Sequence, residues 1–156
     1  MRRIVTAEYL AGLFDGEGCV DIVNRTRGYL LRVKITNTHR PALSKIQRAF
    51  GGSILPVAGP SRPAGYRALF DLTYRGAAAA GVLAIMAPHL IIKARQASIA
   101  AKFFKFNSGT KRALRCEKAP VQVGRFVHMR WRRTAEANIK AEGFKRALAV
   151  EKARVV

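Results

Sequence analysis

Residues 10–18, LAGLFDGEG, constrain this chain more than any other stretch. Leu10, Ala11, Gly12, Leu13 and Phe14 make a short apolar helix seam. Asp15, Gly16, Glu17 and Gly18 end it with two carboxylates on small, flexible backbone. Thr6 is placed to cap the helix, and Glu8 sits in the first turn, where the helix dipole favours a negative charge. The helix is therefore expected over about residues 7–15. Gly12 at its middle costs ~1 kcal/mol relative to Ala. Close approach of another backbone is the reason to keep it there. A buried helix that finishes on two acids between glycines implies that the acids have a task.

The helix period gives way at once to a period of two. In residues 19–25, Val20 and Ile22 share one face, with Asp21, Val23 and Arg25 on the other. Residues 29–37 alternate more clearly, with Leu31, Val33 and Ile35 toward a core and Arg32, Lys34 and Thr36 away from it. Both are half-buried strands, joined by a turn at residues 26–28. Residues 40–50 predict a helix with Pro41 in its first turn and Leu43, Ile46, Ala49 and Phe50 inward. Gly51 and Gly52 stop it. A short strand at 53–57 and a loop at 58–65 follow. Residues 66–74 alternate again, with Phe70 and Leu72 inward and Arg67, Leu69, Asp71 and Thr73 outward. A small apolar helix is expected at 77–86, a break at Pro88, and a basic helix over 93–106.

The order αββαββα predicts an α+β fold, with two hairpins in one antiparallel sheet and helices over one of its faces. Residues 107–120 look like a basic linker, and 126–152 like one or two peripheral helices with sparse apolar positions. The expected organisation is a core over 1–106, and over 107–156 a basic linker with a C-terminal helical extension packed on the same domain.

Charge narrows the partner. The 156 residues carry 29 Lys and Arg against nine Asp and Glu, a net charge of +20. Such a chain wants a polyanion, most often nucleic acid. Alternate charges on a strand are usually a solvated face, but this balance favours a sheet turned toward nucleic acid. The two cysteines, Cys19 and Cys116, form no CxxC pair and suggest a reducing compartment. No signal peptide is evident, and no apolar run reaches the ~20 residues that would span a membrane. An intracellular protein is expected, in a prokaryotic cytoplasm or an organelle.

Residues 10–18 resemble the signature of the LAGLIDADG homing endonucleases. Leu10, Ala11, Gly12, Leu13, Asp15 and Gly18 match it identically, with Phe14 for a branched aliphatic, Gly16 for a small residue and Glu17 for the second acid. The family core has the same αββαββα order, and its four-stranded sheets form a saddle on DNA. A second stretch, PHLIIKARQASIAAKFF at 88–104, resembles the segment that opens the family's last core helix. The resemblance implies that Glu17, with the Gly16 carbonyl, holds a divalent metal, and that Lys93 lies beside the scissile phosphate. It puts Asn37 near the residue that holds active-site water. His39 and Arg40 compete for a nearby basic role, because the spacing is shorter here than in the family.

The chemistry is self-consistent. A hard oxygen ligand set suits Mg²⁺ or Mn²⁺, which keep waters and use one or two carboxylates with substrate phosphate. Ca²⁺ is expected to bind without supporting cleavage. Lys93 could stabilise a charged transition state. Asp15 points elsewhere on the helix end and caps or orients. The resemblance further implies a homodimer whose seam is Leu10, Ala11, Gly12, Leu13 and Asp15, acting on double-stranded DNA at a near-palindromic site. Arg25, Arg27, Arg32, Lys34, Arg67 and Thr73 are expected base readers. Asp21, Val23, Thr36, Arg62 and Asp71 complete the DNA-facing set. The alternative is an RNA-splicing maturase that binds its own intron RNA, or a non-cleaving binding protein on the same scaffold.

Overall fold

Thr6 begins the first helix, α1 (Ala7–Glu17), by accepting a hydrogen bond from the Tyr9 N–H at 3.3 Å. In the computed structural model, which describes residues 4–25, 28–57, 67–109, 116–123 and 126–154, α1 runs two residues past the expected end and takes in Glu17. Gly18 closes it by donating its N–H to the Phe14 carbonyl. A Cβ on Gly18 would lie 2.1 Å from Phe14 Cδ2 and 2.5 Å from the Phe14 carbonyl oxygen. Only glycine lets the chain turn from helix to strand directly over the buried Phe14 ring. Gly18→Ala is expected to cost about 1–3 kcal/mol by overpacking. Urea unfolding of the two proteins measures it; an unchanged midpoint would contradict the close contact.

Strands β1 (Gly18–Arg25) and β2 (Gly28–Asn37) pair antiparallel, with Asp21 opposite Arg32. Helix α2 (Arg40–Phe50) ends where Gly51 and Gly52 take positive φ angles of 73° and 93°. Strands β3 (Ser53–Pro56) and β4 (Phe70–Arg75) complete a sheet of order β1-β2-β4-β3. Helix α3 (Ala77–Met86), a 3₁₀ turn (Ala87–His89) and helix α4 (Ala94–Gly109) follow. The inner face of the sheet buries Val20, Leu31, Val33, Ile35 and Leu72 against Leu10 and Phe14 of α1 and Phe103 of α4. The expected core faces are therefore present, except that Ala49 is exposed. Helix α2 buries Leu43 and Ile46 in the core, with Phe50 partly buried against it.

The C-terminal third differs from expectation. A hairpin of β5 (Cys116–Val123) and β6 (Phe126–Arg133) occupies the region expected as linker and helix. Its period-two signal is hidden by dense Arg and Lys, and Pro120 argues against a strand except at a sheet edge, where both strands of an isolated hairpin lie. The final helix, α5 (Ala135–Ala153), is not peripheral. Its Ala137, Ala141 and Leu148 are buried. Phe144 packs edge-on to Phe103 at 6.0 Å and beside Phe106 at 5.9 Å. The Tyr29 hydroxyl donates to Glu142 at 2.5 Å. Small alanines let this helix approach closely, so few apolar positions suffice. No helix among the described residues is long and apolar enough to cross a membrane.

Candidate active site

Asp15 is the residue around which the site is assembled. It is 9% exposed, and its carboxylate accepts three backbone N–H groups from a segment 76 to 78 residues away. Oδ2 takes Ile91 at 2.8 Å and Ile92 at 3.1 Å; Oδ1 takes Lys93 at 2.9 Å. These N–H groups belong to the bend that leads into α4, which begins at Ala94. A carboxylate from α1 thus anchors the approach to α4, and its charge lies toward the positive end of that helix dipole.

The same clamp carries Lys93 to the end of α1. Its ammonium donates to the Asp15 backbone carbonyl, one of the last-turn acceptors that the helix cannot satisfy itself. It also lies 5.9 Å from the centre of the Phe14 ring. Glu17 follows Asp15 by two residues and is exposed, as is Gly16. A carboxylate at a helix C-terminus adds to negative potential already there. That placement is unfavourable unless cations collect at the same point. Lys93 supplies one. The exposed Glu17 carboxylate is a hard oxygen donor of the kind that a divalent cation such as Mg²⁺ takes. Among the described residues no group of three or more His, Cys, Asp or Glu could hold a metal alone.

The residues after β2 are engaged differently. Asn37 Oδ1 accepts the His39 N–H at 2.8 Å, and His39 Nδ1 accepts the Ala42 N–H at 3.2 Å, capping α2. Arg40 lies 5.8 Å from the Phe70 ring centre. His39 lines a groove with Ile4, Val5 and Tyr9, at the N-terminal half of α1. Tyr9 precedes Glu17 by eight residues, roughly 12 Å of helix. The structure thus brings together Asp15, Gly16, Glu17 and Lys93. It commits Asn37, His39 and Arg40 to the start of α2 and to β4, with no hydrogen bond to Glu17 or Lys93 among the described residues.

Three expected seam residues are also engaged within the chain. Leu10 and Ala11 are fully buried in the chain's own core, so they offer a partner nothing. Asp15 spends its carboxylate within the chain. The open face of α1 is Gly12 and Gly16, where a Cβ would meet no atom within 4 Å, with Tyr9 half exposed beside them and Leu13 half-buried.

The outer face of the sheet carries Asp21, Val23 and Arg25 on β1, Arg32, Lys34 and Thr36 on β2, and Asp71, Thr73 and Arg75 on β4. Register sets Arg32 opposite Asp21 on one side and Arg75 on the other. Both acids hold neighbours: Arg32 Nη2 donates to Asp21 at 2.8 Å, Thr36 Oγ1 donates to Asp71 at 2.6 Å, and Lys34 lies 3.4 Å from Asp71. Thr73, flanked by β2 and β3, is 8% exposed and has little surface for a ligand. Arg67 precedes β4, which begins only at Phe70. Arg27 and Arg62 lie outside the described residues. Exposed Arg75 escaped the sequence reading, although it continues the outward alternation of 71 and 73 by one step.

Residues 5–51 match the model of the LAGLIDADG-like domain. Several solved structures share the fold. The homing endonuclease I-CvuI in complex with its target, in the presence of calcium, aligns with a TM-score of 0.62 at 16% identity, over 93% of this chain and 80% of that one. An archaeal intron-encoded homing endonuclease complexed with DNA gives 0.64 at 15% identity, over 93% and 82%. The LAGLIDADG meganuclease I-AabMI bound to uncleaved DNA gives 0.56 at 16% identity, over 90% of this chain but 44% of that one. Among curated proteins no sequence matches the chain.

Proposed function

Because this chain carries a LAGLIDADG-like domain on the LAGLIDADG endonuclease fold, we propose that it is a site-specific, double-strand DNA endonuclease that works as a homodimer with Mg²⁺ or Mn²⁺. The observation that carries this reading is the Asp15 clamp, which holds Lys93 on the last turn of α1, the turn that ends in Glu17. A buried acid joins two segments 78 residues apart, and what meets there is a carboxylate, carbonyls and an ammonium. Glu17 and the Gly16 carbonyl would hold the metal. When bound, the metal supplies an activated water and neutralises charge on phosphate. Lys93, held by its bond to the Asp15 carbonyl, would put its positive charge beside the phosphodiester. Ammonium has three protons, and the carbonyl takes one, leaving others for a phosphate oxygen.

One carboxylate per chain and two strands per duplex call for a second copy. The open Gly12–Gly16 face of α1 supports close helix packing, and the fit to 44% of I-AabMI leaves room for a second such unit in that chain. The exposed cations of the outer sheet face would then meet the major groove on either side, where base edges are distinguishable. An intracellular protein encoded within a mobile intron suits this reading.

The direct test offers the protein a duplex carrying its uninterrupted insertion locus while Mg²⁺ is titrated. Cutting of both strands only with Mg²⁺ or Mn²⁺ is expected. Tight binding with no cleavage under any metal would leave a binding protein. Assembly is tested separately: Gly12→Leu should push the helices apart and convert dimer to monomer in sedimentation. It should leave the chain folded, because among the described residues a Cβ added at Gly12 meets nothing within 4 Å beyond its own helix. A wild type that stays monomeric on DNA would contradict the symmetric model.

A further inference from the structure

A carboxylate on a surface that binds polyanions costs affinity, yet Asp21 stands on the outer sheet face of a chain with net charge +20. Its two oxygens hold two different cations. Oδ2 takes Arg32 Nη2 at 2.8 Å from directly across the β1–β2 ladder. Oδ1 takes Lys152 Nζ at 2.5 Å from the last turn of α5, 131 residues away. The Cys19 thiol leans on the same oxygen at 3.4 Å. Burial alone would push the Asp21 carboxyl up, but the hydrogen bonds from Lys152 and Arg32 outweigh it and hold it below its usual range. The guanidinium of Arg32 makes no other hydrogen bond among the described residues, and its buried Nε has no partner. Arg32 is therefore tethered by one corner, lying across the strands rather than swinging freely.

A free arginine on this face could reach phosphates or several bases. A tethered one can present its donors to one place only. Resting on the DNA-reading function above, we propose that Asp21 is a positioning residue for specificity: it fixes Arg32 to read one base pair, and it keeps Lys152 of α5 off the phosphates. Asp21 thus exchanges affinity for selectivity, and couples the C-terminal helix to the reading face.

The test selects binding sites from a randomised duplex pool without divalent metal, using full-length wild type, Asp21→Asn, Asp21→Glu and Arg32→Gln. Asp21→Asn should lose about 5- to 150-fold discrimination at a single base-pair position, the range a bidentate arginine–guanine contact supplies. It should also bind non-specific duplex more tightly, with a salt slope steeper by about 0.9 to 1.8 as one or two freed cations reach phosphates. Arg32→Gln should lose the same position without the steeper slope, and Asp21→Glu should restore the preference in part. A purely structural role would lower affinity at all sequences alike. An Asp21→Asn profile and slope equal to wild type would overturn the proposal. Should that variant not fold, an Arg32→Gln profile equal to wild type would do so. A wild type that selects no site at all overturns instead the DNA-reading function on which it rests.

Discussion

Glu17→Gln is expected to abolish cleavage and keep specific DNA binding. The side chain is exposed at the end of α1, so the amide fits and the fold is undisturbed. What disappears is the negative charge that would hold the metal. Its contribution is several kcal/mol of charge stabilisation, so the rate should fall by about 10³-fold or more. Affinity should hold or rise slightly, because an acid near phosphate has gone. Lys93→Met is the matched control, since it removes the ammonium and keeps the carboxylate. One transition-state donor typically contributes ~2.7–4 kcal/mol, so cleavage should slow about 10²- to 10³-fold with metal still bound. Cleavage and affinity of both variants on one cognate duplex, with metal titrated, decide the matter. A Glu17→Gln protein that cuts at the wild-type rate would place the metal elsewhere.

Asp15→Ala is expected to have the largest effect on stability. It strips three N–H groups of their shared acceptor and leaves a void between α1 and the entry to α4. Unsatisfied buried donors cost about 1–3 kcal/mol each. Water can reach some of them, so a total of about 3–5 kcal/mol is expected, a large part of the ~5–15 kcal/mol that a domain has. Asp15→Asn keeps one acceptor oxygen and no charge, and should lose roughly half as much. Denaturant unfolding gives the order wild type, Asn, Ala. Cleavage should fall in the same order even well below the unfolding midpoint, because Lys93 loses its anchor. Equal stability of all three proteins would mean that the clamp carries no load.

Residues 10–18 put two acids at a helix end, and the Asp15 carboxylate there accepts the N–H groups of Ile91, Ile92 and Lys93. Asp15 could be judged a capping or orienting residue because its neighbours leave it at a helix end. That its partners are the N–H groups of the bend before α4 is invisible in any window of sequence. Lys93 stood out only through a family resemblance; a basic residue after an apolar turn has no local signal. The family resemblance makes His39 and Arg40 competing candidates, and the structure engages them at the N-cap of α2 and near the Phe70 ring.

Local periodicity determined what depends on neighbours along the chain. Helices at 40–50 and 77–86 fall at the expected bounds, as do the inward faces of β1 and β2. A period of two or of 3.6 sorts each side chain to a face, and burial of the apolar face does the rest. Tertiary structure decided which faces meet. It turned Leu10 and Ala11 into the chain's own core and left Gly12 and Gly16 open. It docked α5 through small alanines, and it paired β5 with β6 despite Pro120. It drew Asp15 to Lys93 and Asp21 to Lys152. Those contacts span 78 and 131 residues, and their energy exists only once loop closure and core packing have set the partners side by side.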